Sequence, residues 1–231
     1  VPTVYEVNGF PSIELPYHYE TMSTELLQKI INLENNTISI ASKIITPAKR
    51  TESYLTERFG QEIKNKTFIL ENGCDISSLS TQDYNGDLLK LVYIGTLHPW
   101  QGLNWFLRVL NKLPENITLD IYPSSEKKWL KELLRSIKKF KLSDRVKIKT
   151  FLHKGQIHST LTQYHFGIIP LLKVKRNALQ GCCPVKVKDY LSVGLPVLGS
   201  DLSVVRSLVK HESNGMLFNV CLLYTSPSPR D

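Results

Sequence analysis

No apolar run in the 231 residues approaches the ~20 needed to cross a bilayer as a helix. The 4 cysteines are too few for a disulfide scaffold. Only Cys182 and Cys183 adjoin, and they lack metal-ligand spacing. A glycine-rich dinucleotide fingerprint and a P-loop are both absent, which counts against nicotinamide-dependent and ATP-hydrolysing classes. Excess positive charge is concentrated in one place. The chain has 29 basic and 21 acidic side chains, net +8. Residues 126–154 carry 11 basic and 3 acidic groups, which equals the whole excess. A uniformly basic nucleic-acid-binding chain is therefore excluded. Hydrophobic residues make up 42% and aromatics 9%, enough for a packed core and too much for a disordered chain.

What is present alternates. Val4–Val7, Ile44–Thr46 and Phe68–Leu70 read as strands. Helical stripes run over 23–33, onward to Lys43, and over 48–59. Residues 11–20, punctuated by prolines, read as loop. The polar segment 75–87 is the best candidate for an inter-domain boundary. Beyond it, strands are expected at 88–94, 117–121, 146–151, 166–171, 196–199 and 216–220. Helices are expected at 103–112, 126–141, 156–163, 185–193 and 203–210. Near-continuous apolar strands separated by amphipathic helices are the pattern of a parallel sheet covered on both faces, an α/β class.

Parallel sheets bind ligands beyond the carboxyl ends of their strands. Three loops fall there. In Gly95–Gly102, Gly95 lets backbone approach a ligand, and Gln101-Gly102 leads into a helix whose free N–H groups suit a phosphate. Thr96 lies between them; the competing reading is a tight turn. In 175–190, Pro184 suits a helix start, and Lys186 and Asp189 share a face near it. The lysine can neutralise phosphate while the carboxylate accepts two ribose hydroxyls. An i,i+3 surface ion pair is the competing reading. Cys182 and Cys183 read as small packing residues. In 197–201, Asp201 reads as a helix cap and nothing more; Gly215 reads as a helix C-cap. The helix 126–141 shows a stripe of Leu130, Leu133, Leu134 and Ile137 with lysines mainly off it. A solvated face and contact with anionic lipid headgroups are both open; nucleic acid is disfavoured because exposed aromatics do not interleave the charges.

Several segments in one order carry a resemblance. PVKVKDYLSVGLPVLGSDLSVVRSLVKHESNGMLF at 184–218, GCCP before it and YIGTLHPWQGL at 93–103 are the principal pieces. SKIITPAKRTESYLTERFG at 42–60, ENGCD at 71–75 and YEVNGFPSIELPYHY at 5–19 complete the set. Together they resemble the retaining GT-B glycosyltransferases of family 4. The resemblance implies two Rossmann-like parallel-sheet domains, the first largely missing here. It places the end of the acceptor-side domain at 1–77 and a truncated nucleotide-sugar-binding domain at 78–220. It implies transfer of a sugar from a nucleotide-diphosphate donor with retention, without a metal or other cofactor. The acceptor would be a glycan, a lipid-linked molecule or a small molecule.

By the same comparison the donor would be held by Gly95, Thr96, Gln101, Gly102, Arg176, Gly181, Cys182, Cys183, Lys186 and Asp189. Asp189 matches the second of the family's two glutamates; Gly181 stands at the first and has no carboxylate. Thr96 and Gln101 stand where the family has a basic pair, so Arg176 or Lys186 would supply the positive charge. Asn8 stands where many members have a histidine. Lys186, Asp189 and Asn8 are thus the candidate catalytic residues. The missing charges keep open an alternative, a weakly active or non-catalytic nucleotide-binding scaffold apposed to a membrane through 126–154. A cytoplasmic location is expected, with peripheral contact at the inner membrane surface left open. The chain opens inside an apolar element without methionine and is expected to be a piece of a longer protein. CLLYTSPSPRD at 221–231 breaks the pattern and is expected to be a non-native tail.

Overall fold

The computed structural model describes residues 1–19, 21–76, 81, 84–124 and 127–220. Much of the polar segment expected as a boundary, and the whole tail 221–231, lie outside the described residues. Two compact units emerge. The first combines Val1–Gly73 with Val174–Val185; the second combines Cys74–Lys173 with the chain from Lys186 onward.

In the first unit, β1 (Val4–Glu6), β2 (Lys43–Thr46) and β3 (Thr67–Ile69) form a parallel sheet in that order. Helix α1 (Pro11–Glu14) is followed by a 3-10 turn at Leu15–Tyr17. Helices α2 (Thr24–Ile40) and α3 (Lys49–Phe59) complete the set. The segment read as loop at 11–20 is thus partly helical. Pro11 occupies the first turn of α1, where its missing N–H costs nothing. Two expected helical stretches merge into α2, whose Ser23 caps the Leu26 N–H at 3.1 Å. The core joins Val7, Phe10, Ile38, Ala41, Ile44, Leu55 and Ile63. Buried Glu34 is not stranded among them. It accepts from the Ser12 N–H and hydroxyl, both at 2.7 Å, and from Arg58 Nη1 at 2.8 Å.

The second unit contains β4 (Leu89–Gly95), α4 (Leu103–Leu110), β5 (Ile117–Pro123), α5 (Lys127–Lys139) and β6 (Val146–Ile148). It continues with α6 (Lys154–Leu161), β7 (Phe166–Ile169), α7 (Val185–Ser192, whose first residue groups with the other unit), β8 (Val197–Ser200), α8 (Ser203–Arg206) and β9 (Gly215–Phe218). The six strands are all parallel, in the order β6-β5-β4-β7-β8-β9. Counted from β4 this is 3-2-1-4-5-6, the doubly wound Rossmann order, with its reversal between β4 and β7. Leu91, Tyr93, Leu119, Ile121 and Val146 pack against Leu103, Phe106, Leu107 and Leu110 of α4 and Trp129, Leu133 and Ile137 of α5.

Three sequence readings are corrected here. Leu134, expected in the buried stripe of α5, is 48% exposed, and Trp129, outside that expected stripe, is buried. Asp201 does not cap α8. Leu202 is the N-cap residue, and Asp201 faces Arg206 at 3.3 Å. Gly215 is not a helix cap but the first residue of β9. A Cβ there would lie 2.2 Å from the Val197 carbonyl oxygen, so only glycine lets β9 reach its register.

Candidate functional site

The crevice of a doubly wound sheet opens where strand order reverses. Here β4 and β7 pair only at Leu91–Phe166 and Val92–Gly167. Past that point they part, and Tyr190 of α7 fills the gap. Its hydroxyl accepts from the Ile94 N–H at 3.1 Å. A side chain at Gly167 would strike the Tyr190 ring at 2.4 Å. Burial pushes the Tyr190 phenol far above its ordinary range, so it stays neutral. Gly102, the residue before α4, has φ +76°, and a Cβ there would sit 1.8 Å from the Pro170 carbonyl oxygen. The Leu172 N–H donates to the Trp100 carbonyl at 3.0 Å. The loops after β4 and β7 are thereby tied together at the reversal.

Lys186, in the first turn of α7, reaches the end of β4. Its Nζ donates to Tyr93 Oη at 2.8 Å and to Gln101 Oε1 at 2.9 Å. It also lies 4.2 Å from the Tyr93 ring centroid. Gln101 Nε2 in turn donates to Thr96 Oγ1 at 3.2 Å, and the Tyr93 hydroxyl donates to the Thr96 carbonyl. Tyr93 is fully buried, and that burial, then neighbouring Tyr190, raises its phenol well above 10.0. A neutral phenol has one proton, committed here to Thr96, and an open lone pair for the ammonium. Gly95 has φ +124°, and its missing Cβ leaves room for the lysine, whose Nζ would lie 3.1 Å from that atom. The space that sequence reading gave to a ligand thus admits the Lys186 head.

Asp189 follows one turn later and is half-buried. Burial raises its carboxyl above 3.8, against the pull of His158 and Lys154. Beside it, Ser192 Oγ donates to the Asp189 carbonyl at 2.8 Å and lies 3.2 Å from His158 Nε2.

The remaining expected residues lie in the first unit. Lys175–Gln180 forms a single π-helical turn. Gln180 is fully buried; its Oε1 accepts from the Phe10 N–H at 3.1 Å and its Nε2 donates to Glu14 at 2.9 Å. Arg176 Nε donates to the same carboxylate at 3.2 Å, and Arg50 Nε donates to the Ala178 carbonyl at 3.1 Å. These bonds group 174–185 with the first unit. Gly181 has φ +83°, and a Cβ there would press on Arg50 at 2.8 Å. Cys182 is buried, Cys183 half-buried, and both are unoxidised thiols. Asn8 is exposed and donates to Glu6 at 3.0 Å. The structure therefore brings Gly95, Thr96, Gln101 and Lys186 together, with Asp189 on the same helix. Tyr93 and Tyr190 were missed in the sequence because an aromatic in an apolar run reads as core. Among the described residues, no cluster of three or more His, Cys, Asp or Glu could hold a metal ion.

Residues 89–221 match the family model described as glycosyl transferases group 1. The chain belongs to this family. HepE of Anabaena in complex with UDP-glucose superposes with TM-score 0.71 at 22% identity, over 94% of this chain and 58% of that one. Sucrose-phosphate synthase of Thermosynechococcus elongatus gives TM-score 0.71 at 14% identity, over 94% and 54%. The fold of this group 1 chain is accordingly GT-B-like α/β with parallel sheets. The chain spans 58% of HepE and 54% of the synthase. No curated protein matches the sequence.

Proposed function

We propose that the chain is a part, containing the donor side, of a family 4 glycosyltransferase, which moves a sugar from a nucleoside-diphosphate donor to an acceptor with retention. The observation that carries this reading is the Lys186 ammonium, held by Tyr93 and Gln101 at the reversal of the sheet. Family membership and the UDP-glucose complex of HepE support it. As the anomeric carbon–oxygen bond breaks, its electron pair passes to the leaving diphosphate. Lys186 and the first-turn N–H groups of α7 stabilise that charge. The acceptor oxygen forms the new bond, and its proton goes to the departing phosphate. Asp189 holds the ribose hydroxyls. Backbone of the 95–102 loop borders the diphosphate. This division leaves no step to a metal. The acceptor side is assigned to 1–77 and the donor side to 78–220.

The uncharged Thr96, Gln101 and Gly181 favour a second reading, a nucleotide-binding scaffold without turnover. Transfer assays with a panel of nucleotide sugars, using a complete homologous chain, separate the two. Lys186→Ala and Asp189→Ala are expected to weaken donor use by roughly tenfold or more. Unchanged donor affinity and turnover in both variants would overturn the assignment. Saturable donor binding without any transfer would support the scaffold. Contact of 126–154 with an anionic membrane is independent of either reading. Among the described residues, no helix is long and apolar enough to cross a membrane.

A further inference from the structure

Helix α5 presents Lys128, Lys131, Arg135, Lys138 and Lys139 to solvent, all exposed. At roughly 100° per residue they span about 100° of the helix circumference, opposite buried Trp129, Leu133 and Ile137. That arc contains no acidic residue; Glu132 flanks it and is half-buried. Among the described residues, no ion pair engages any of the five cations. Like charges at i,i+3 and i,i+4 destabilise a helix. The first turn of α5 carries no acid, and Lys128 and Lys131 sit near its positive end, where the dipole disfavours them. Lys138 and Lys139 sit in the last turn, where the dipole favours them, so the opposition falls on the N-terminal half of the face.

Leu134 lies at the margin of this arc, between Leu130 and Lys138, and is 48% exposed. At the far end Lys139 lines a shallow groove with Lys112, Leu113 and Lys141. No exposed aromatic interleaves the cations. Trp129 is buried, with the Lys128 ammonium 4.5 Å from its ring centroid. Stacking on nucleic-acid bases thus has no platform. Cations flanked by a protruding leucine instead match an interfacial helix face, where charge meets headgroups and the apolar side chain enters the acyl boundary.

We propose that the outer face of α5 docks the protein on an anionic lipid surface, with Lys128, Lys131, Arg135, Lys138 and Lys139 on the headgroups and Leu134 inserted. The proposal does not rest on the sugar-transfer reading. Each cation near such a surface is worth roughly fivefold in affinity.

The test is vesicle co-sedimentation of the chain with phosphatidylcholine, with and without phosphatidylserine, over rising salt. Binding is expected only with the anionic lipid and is expected to fall as salt rises. The triple variant K131A/R135A/K138A is expected to bind roughly 100-fold more weakly. Leu134→Ser is expected to lose severalfold while keeping its preference for anionic vesicles. Both variants should melt no lower than the parent, since the exchanged side chains are exposed. Equal recovery on neutral vesicles, or undiminished binding by the triple variant, would overturn the proposal. So would displacement from anionic vesicles by single-stranded RNA at charge-equivalent concentrations below those of soluble polyphosphate.

Discussion

A buried phenol whose only proton is committed to the Thr96 carbonyl offers Lys186 a lone pair in fixed position, with Gln101 as the second acceptor. Tyr93→Phe removes that lone pair and keeps the ring. UDP affinity is expected to fall roughly tenfold, the worth of a hydrogen bond to a charged group. Uridine affinity should barely change, and calorimetry with both ligands would show the split. Asp189 gives a prediction of opposite signs for stability and binding. Its folded carboxyl holds a proton more tightly than the unfolded one, so stability falls as pH rises from 3.8 through the raised value. Donor affinity rises over the same interval if the carboxylate accepts ribose hydroxyls. Asp189→Asn is therefore expected to melt above the parent at neutral pH, with the gap closing in acid, while donor binding weakens. Melting curves across pH would check it.

At the scale of elements, the two tied loops and the π turn each depend on a few specific contacts. Gly102→Ala would place a methyl 1.8 Å from the Pro170 oxygen at φ +76°. A loss of at least ~2 kcal/mol is expected in denaturant unfolding. Gln180→Ala strands the Phe10 N–H and one Glu14 interaction, and about 1–3 kcal/mol should be lost. Strand and helix placement in the second unit was legible because apolar runs and helical stripes match their elements. The π turn was not. KRNALQ has no apolar period, and its anchors Phe10, Glu14 and Arg50 lie far away in sequence. Tyr93 and Tyr190 were hidden for a different reason: burial is legible in a strand or helix pattern, but the partner of a buried hydroxyl is not. Leu134 followed the helical spacing of its neighbours, yet at roughly 100° per residue it falls at the edge of the stripe centred on Trp129, Leu133 and Ile137.

Across the whole molecule, order 3-2-1-4-5-6 places the reversal at β4 and β7, and a lysine from α7 supplies positive charge there. The 29-to-21 charge imbalance is a separate feature, concentrated on α5 and the strand after it. The two should respond independently: the α5 triple variant is expected to bind UDP as the parent does. The central claim is that Lys186 at the sheet reversal holds a nucleoside diphosphate. Titration calorimetry of UDP into the chain and into Lys186→Met tests it most directly. Saturable one-to-one binding by the parent, weakened roughly tenfold or more in the variant, is the expected result. No binding by the parent, or equal binding by both, would contradict it.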